Sequence, residues 1–191
     1  MTSTIESITL EINMNYGNIK FYDIANGEGI RTSLFVSGCP IHCSGCFNQE
    51  AQDYNYGQPY TNQTHNTILE QISKPYIAGL SLLGGDPMCQ KYDGLVNLIS
   101  LAQEVRNMGK TVWLWTGLTY EDIFPPEHKG GWTAIEYARQ CLFMACNVVV
   151  DGPFIEAQKD LTLAFRGSKN QRLINVQKTL ESNRVILYKE A

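Results

Sequence analysis

What this sequence lacks narrows it first. It has no basic excess: 15 Lys and Arg stand against 19 Asp and Glu, a formal net charge of −4. Non-specific binding to nucleic acid needs a basic face, so no nucleic-acid partner is expected. It has no apolar run long enough to span a bilayer, and the stretch from Leu142 to Val150 is broken by Cys146 and Asn147. The opening Met1-Thr2-Ser3-Thr4-Ile5-Glu6 carries neither the basic start nor the apolar run of a secretion signal. No membrane partner is expected, and the expected location is cytoplasmic. Internal repeats, low-complexity tracts and linkers are also absent, which predicts one domain over residues 1–191. A chain of this length can bury around 70% of its unfolded surface, and 43% hydrophobic residues supply the core.

What is present is an uneven distribution of thiols. Of six cysteines, Cys39, Cys43 and Cys46 fall in one short segment, while Cys89, Cys141 and Cys146 are scattered. A disulfide framework suits small secreted chains; in a reducing compartment the cluster reads as metal-binding and the scattered thiols as buried residues. A structural zinc site wants four ligands, commonly as two pairs, and no second pair follows. His42 or Cys89 could complete one, but His42 lies between two ligands and reads as a solvated loop residue. A ferredoxin-like carrier needs four cysteine ligands per cluster. The spacing Cys-x₃-Cys-x₂-Cys favours a [4Fe–4S] cluster on three thiolates with its fourth iron open. A zinc or iron–sulfur binding module without turnover is the non-enzyme alternative.

Hydrophobic periodicity places the cluster in a fold. Strands are predicted at Ile8–Met14, Ile19–Tyr22 after a Tyr16-Gly17-Asn18 turn, Ile30–Ser37, Gly79–Leu83, Thr111–Trp115 and Asn147–Val150. Two late strands are predicted at Leu173–Val176 and Arg184–Tyr188. Helices are predicted at Thr67–Ser73, Tyr92–Met108, Thr119–Phe124 and Trp132–Ala145, the last with Ile135, Ala138, Leu142 and Ala145 inward. Asn48–Asn66 reads as a long, mobile or partner-facing loop, and Trp113 and Trp115 as core. This alternation predicts an α/β fold with a mostly parallel sheet. A complete eight-fold barrel needs about 250 residues, so the expected form is a partial, open βα barrel. Four strands in succession end in Cys-rich, Gly-Gly-Asp, Thr-Gly and Asp-Gly-Pro sequences. Loops at strand C-termini converge on one face in such folds, so a site is expected there.

The segment Gly38-Cys39-Pro40-Ile41-His42-Cys43-Ser44-Gly45-Cys46-Phe47-Asn48 resembles the radical S-adenosylmethionine superfamily, which carries a three-cysteine loop after its first barrel strand. The resemblance implies that Cys39, Cys43 and Cys46 hold one [4Fe–4S] cluster. Its open iron would take the amino and carboxylate groups of S-adenosyl-L-methionine, and reductive cleavage would yield a 5′-deoxyadenosyl radical. Gly84-Gly85-Asp86 resembles the Gly-Gly-Glu motif that receives the methionine amino group, one methylene short. Gly45 stands where the superfamily often has an aromatic residue; Phe47 is the neighbouring residue able to cover the cluster or stack near adenine. Cys46 and Asn48 share that segment, and Thr116, Gly117 and Asp151 stand where the family contacts adenosine.

Asn26-Gly27-Glu28-Gly29-Ile30-Arg31-Thr32 resembles the lead of the glycyl-radical-enzyme activases. Gly45-Cys46-Phe47-Asn48, Val148–Phe154 and Leu163–Arg172 resemble the branch acting on anaerobic ribonucleoside-triphosphate reductase. This implies a glycyl radical generated on the reductase's large subunit, with a low-potential electron donor such as flavodoxin. Arg166, Asn170, Gln171 and Arg172 would then bind a carboxylate or steady the glycine-bearing loop. The plainer reading pairs the arginines with local acids such as Asp160 or Glu156. An activase for a formate-lyase-type partner and a radical enzyme acting on a metabolite are the enzyme alternatives.

Overall fold

The structure, a computed structural model, describes residues 13–127 and 130–189. It is built on a seven-stranded mixed sheet in the order β3-β1-β2-β4-β5-β6-β7. The strands are β1 (Asn15–Asp23), β2 (Arg31–Val36), β3 (Gln58–Pro59), β4 (Gly79–Gly84), β5 (Thr111–Trp115), β6 (Val148–Asp151) and β7 (Arg172–Asn175). Neighbours β2-β4-β5-β6 run parallel. The outer pairs β1-β2, β1-β3 and β6-β7 are antiparallel. The sheet is open, with β3 and β7 at its two edges. The expectation of a mostly parallel sheet thus describes the centre and not the margins.

The helices are α1 (Asn62–Ile72), α2 (Tyr92–Asn107), α3 (Tyr120–Ile123), α4 (Ala134–Met144) and α5 (Val176–Ser182). One face of the sheet contributes Leu34, Val36, Leu80, Leu82, Val112, Leu114 and Val149 to a core shared with Leu95, Leu98, Ala102, Leu142 and Phe143 from α2 and α4. Full burial of one such side chain is worth roughly 1.5–3 kcal/mol. On the opposite face, Trp113, Val148, Val150 and Leu173 form a second cluster, packed by Trp115, Phe165 and Tyr188. Trp113 is therefore core, as expected, while Trp115 packs against it half-buried.

Arg31 lies on that second face at the N-terminal end of β2 and is fully buried. Its guanidinium donates to Ser81 Oγ, Thr111 Oγ1 and the carbonyls of Glu28, Leu80 and Thr111. Burial pulls its pKa down to about 10, and neutral acceptors meet its donors so that the charge is tolerated. Tyr188 donates to Glu28 Oε2 over 2.8 Å, so the last described residues clasp the Asn26–Ile30 loop.

Several expectations change. Tyr16-Gly17-Asn18 is not a turn but an irregularity within β1, where the register to β2 shifts between Tyr16 and Asn18. The strand expected at Ile8–Met14 lies mostly outside the described residues. The Asn48–Asn66 segment is not a long loop: it holds a 3-10 turn at Glu50–Gln52, strand β3 and the first turn of α1. That first turn is polar, and Thr61 caps it by accepting from Thr64 N, so apolar spacing could not reveal it. Ile135 stands 40% exposed on α4. The expected strand at Arg184–Tyr188 makes only a bridge from Leu187 to Ile174. Ahead of it lies α5, capped by Asn175 and closed by Asn183 in the left-handed region.

Candidate metal centre at the strand ends

The thiol loop leaves β2 at Ser37 and runs over the ends of its parallel neighbours. Its first cysteine is held from the side: Gly38 N donates to Ala51 O and Cys39 N to Gln52 O. The 3-10 turn at Glu50–Gln52 is thus the wall behind Cys39. The Tyr54 ring packs on Gly38, and its hydroxyl donates to the Cys89 carbonyl at 2.8 Å. Beyond Cys39 the loop turns through His42 and Gly45, both at positive φ, and Cys46 N donates to Cys43 O. His42 points out to Gln52, Nδ1 to Oε1 2.8 Å, and is exposed.

All three clustered cysteines are free and half-buried, and none is in a disulfide. Among the described residues no three His, Cys, Asp or Glu side chains converge on a point that could hold one metal ion. The three thiols share one loop between β2 and the Glu50–Gln52 turn and are the donor type of an iron–sulfur cluster, so the donor set fits a [4Fe–4S] group. Burial pushes the Cys39 thiol above its ordinary pKa. Cys89 and Cys146, more deeply buried, are pushed higher still. A cavity of about 380 Å³ flanks Cys46, Phe47, Asn48 and Tyr56.

Gly45 is where an aromatic residue was absent, and the structure gives a reason. Its φ is +72°, and a Cβ there would lie 2.9 Å from the Glu156 carboxyl carbon. Glu156, from the loop after β6, also accepts from Ser44 Oγ at 3.2 Å. Phe47 stands 88% exposed beside Cys46. Asn48 turns back, and its amide is 3.4 Å from the Gly84 carbonyl.

The Gly-Gly-Asp segment lies directly under this loop. A Cβ on Gly85 would fall 2.6 Å from both the Ala51 and Gly38 carbonyls, so no other residue fits between them. Asp86 is 1% exposed. Its Oδ2 accepts from Thr116 Oγ1 and Gly117 N, and its Oδ1 accepts from Met88 N. Burial pushes its carboxyl up, opposed by the Gly117, Met88 and Thr116 donors. Asp86 thus ties the end of β4 to the end of β5, and Thr116 and Gly117 are its partners. Ile41 from the thiol loop packs on Gly117.

Asp151 ends β6 and is also buried, accepting from Tyr120 N and from Arg172. Arg172 takes Glu121 as a second acid, so its partners are neither Asp160 nor Glu156. Asp160 instead pairs with Lys169. Gln171 is spent locally: Oε1 accepts from Gly167 N and Ser168 N, and Nε2 donates to Gly152 O. Asn170 donates to Pro153 O. Arg166 makes one long bond, 3.5 Å to Gln171 O, and among the described residues no carboxylate pairs with it.

Sequence reasoning passed over Glu121 and Gln90, whose only signal is their polarity, and offered Glu156 to the arginines, whereas it accepts from Ser44 Oγ. It did bring together the ends of β2, β4, β5 and β6. The Cys39 loop, Gly84–Asp86, Thr116–Gly117 and Asp151 all lie at that edge of the parallel strands.

Comparison with known proteins agrees with this geometry. Residues 25–174 match the family described as a 4Fe-4S single cluster domain. The anaerobic ribonucleoside-triphosphate reductase-activating protein of Escherichia coli (strain K12) is 35% identical over 162 residues, covering 83% of this chain and 96% of its own. Its Vibrio cholerae counterpart is 37% identical over 162 residues, with the same coverage. The protein of that name from Enterobacteria phage T4 is 37% identical over 161 residues, 84% of this chain and 93% of its own. The chain therefore belongs to the 4Fe-4S single cluster domain family and, within it, to the anaerobic ribonucleoside-triphosphate reductase-activating proteins.

Proposed function

We propose that this chain is an activating enzyme for an anaerobic ribonucleoside-triphosphate reductase, working as a radical S-adenosylmethionine oxidoreductase of one domain and partial-barrel form. The observation that carries this is the match of 150 residues, 25–174, to a single-cluster domain whose three thiols issue from the end of β2. Cys39, Cys43 and Cys46 would hold the [4Fe–4S] cluster. When bound and reduced, the cluster and S-adenosyl-L-methionine supply homolysis of the sulfonium and a 5′-deoxyadenosyl radical able to take a hydrogen atom from a glycine Cα.

The chain's own residues position and shield. Gly84 and Gly85 let the end of β4 pack directly on the backbone of Val36, Gly38 and Ala51 under the thiol loop, which would present that segment to the methionine end of the cosubstrate, and Asp86 acts by holding it to Thr116 and Gly117. Gly45, Phe47 and Asn48 flank the third thiol, and Asp151 sets the β6 end that would face the adenosine. Arg166, with Asn170, Gln171 and Arg172 in the same loop, would meet the glycine-bearing segment of the large subunit; Arg166 is the one with a guanidinium to spare. A guanidinium suits a carboxylate or a backbone carbonyl at such a contact. A low-potential donor such as flavodoxin would reduce the cluster in a cytoplasmic setting. No helix among the described residues is long and apolar enough to cross a membrane.

The test is anaerobic reconstitution followed by iron and sulfide counting, then reduction and assay for 5′-deoxyadenosine. Addition of the reductase should give a glycyl doublet by electron paramagnetic resonance. Zinc without cleavage would end the enzyme reading. Cleavage with a doublet only on a formate-lyase-type partner would reassign the target.

A further inference from the structure

Between the Asp86 turn and α2 stands a glutamine with an unusual set of partners. Gln90 is 3% exposed. Its side-chain Nε2 lies 3.1 Å from Ser37 O, 3.3 Å from Gly38 O and 3.0 Å from Asp86 O. Ser37 and Gly38 immediately precede Cys39, and Asp86 closes the Gly-Gly-Asp segment. One amide group therefore joins the backbone that launches the first thiol to the backbone beneath the thiol loop. Two further bonds run parallel to it: Gly85 N donates to Val36 O and Asp86 N to Gly38 O.

We propose that Gln90 is a positioning residue for the cluster loop, setting Cys39 against the Gly84–Asp86 segment so that the two move as one unit. The proposal rests on the reading of Cys39 as an iron ligand. Its physical basis is the accounting of buried carbonyls. Gln90 is the donor the structure gives to Ser37 O, and a buried carbonyl left without a donor turns toward one elsewhere. Cys39 N is meanwhile held by Gln52 O. The first thiol is thus clamped from both sides, whereas Cys43 and Cys46 hang from a mutual backbone bond. Partners one step behind a metal ligand orient it, and losing them typically costs 10–100-fold in metal affinity or activity.

A matched control exists in the same chain. Gln140 on α4 is also buried, and its Nε2 donates to Ile123 O at 3.1 Å, with no contact to the thiol loop. The experiment compares Gln90→Met with Gln140→Met, each of which keeps chain length and removes the amide. In the cluster-free chain, Gln90→Met should speed amide hydrogen exchange at Asp86, whose N–H is bonded to Gly38 O, by up to about 10-fold, the effect of one lost hydrogen bond. After reconstitution it should lose iron to a chelator on the order of 10-fold more readily and shift the paramagnetic resonance signature of the reduced cluster. Gln140→Met should do none of these at a similar loss of melting temperature. Equal behaviour of the two variants would overturn the proposal, as would unchanged exchange at Asp86. If Gln90→Met does not fold, the unsubstituted chain decides: Gln90 side-chain amide protons that exchange far more slowly than those of exposed glutamines uphold the clamp, and exchange at exposed rates overturns it. If the chain binds no iron at all, the functional reading fails, and the exchange comparison still decides the role of Gln90 in placing Cys39.

Discussion

Arg172 binds Asp151 across the antiparallel β6-β7 edge, Nε to Oδ1 at 3.0 Å, while its outer nitrogens take both carboxylate oxygens of Glu121 at 3.1 and 2.7 Å. Asp151 is 1% exposed, and that guanidinium is its ion-pair partner. Removing one partner of a buried pair leaves the other uncompensated and costs about 3–5 kcal/mol. Because Arg172 is itself a third exposed, water can partly replace it, and the lower end is expected. Arg172→Met should therefore lose about 3 kcal/mol in urea unfolding, with Arg172→Lys losing less.

The same cluster predicts an acid dependence. Arg172 holds the Glu121 carboxyl below its ordinary value of 4.5. A depressed carboxylate contributes stability that is full above the unfolded value and lost as pH falls through the folded one. Asp86 acts in the opposite sense: burial raises its carboxyl above 3.8, so its contribution is full below that value and lost as pH rises through the folded one. Urea midpoints measured from pH 6 down to pH 3 should show a shallower acid loss in Arg172→Met than in the unsubstituted chain. The Asp86 contribution should remain in both.

At Gly45 the backbone is left-handed, which costs a residue with a Cβ about 1–2 kcal/mol. Gly45→Ala should lower cluster occupancy after reconstitution and also displace Glu156 from Ser44. In a Glu156→Ala background only the backbone part should remain. Gly45→Phe, which restores the aromatic residue common in the superfamily, should retain less iron than Gly45→Ala. Equal occupancy in the alanine and phenylalanine variants would show that Glu156 does not limit this position.

The six thiols should separate by position. Cys39→Ser, Cys43→Ser and Cys46→Ser should each abolish a stable [4Fe–4S] cluster, while Cys141→Ser should leave it intact. In the cluster-free chain at pH 8, iodoacetamide should label the half-buried loop thiols and spare Cys89 and Cys146, which are buried and whose burial raises their pKa. Mass mapping of the labelled peptides reads this out. Rapid labelling of Cys89 would mean that the Tyr54 and Asp86 contacts around it open readily.

The sequence by itself determined what is local. β5 at Thr111–Trp115 and the α3 region after Thr119 follow from residue type and spacing within a few positions. So does the three-cysteine loop, because its thiols are neighbours in the chain and need no fold to stand near one another. The convergence of four strand ends was legible because parallel βα units place every such end on one side. Tertiary structure decided which partner each polar side chain takes. Asp86 was readable as part of a motif, but its commitment to Thr116 and Gly117 spans 30 residues or more. Arg172 reaches Glu121 across 51 residues rather than the acids beside it. Gln90 was invisible, since nothing nearby in the chain marks carbonyls 52 and 53 residues away as needing a donor. Apolar patterning reports which face of an element is buried, and it carries no information on which buried carbonyl or carboxylate a distant donor must satisfy. That requirement exists only once the strands are side by side.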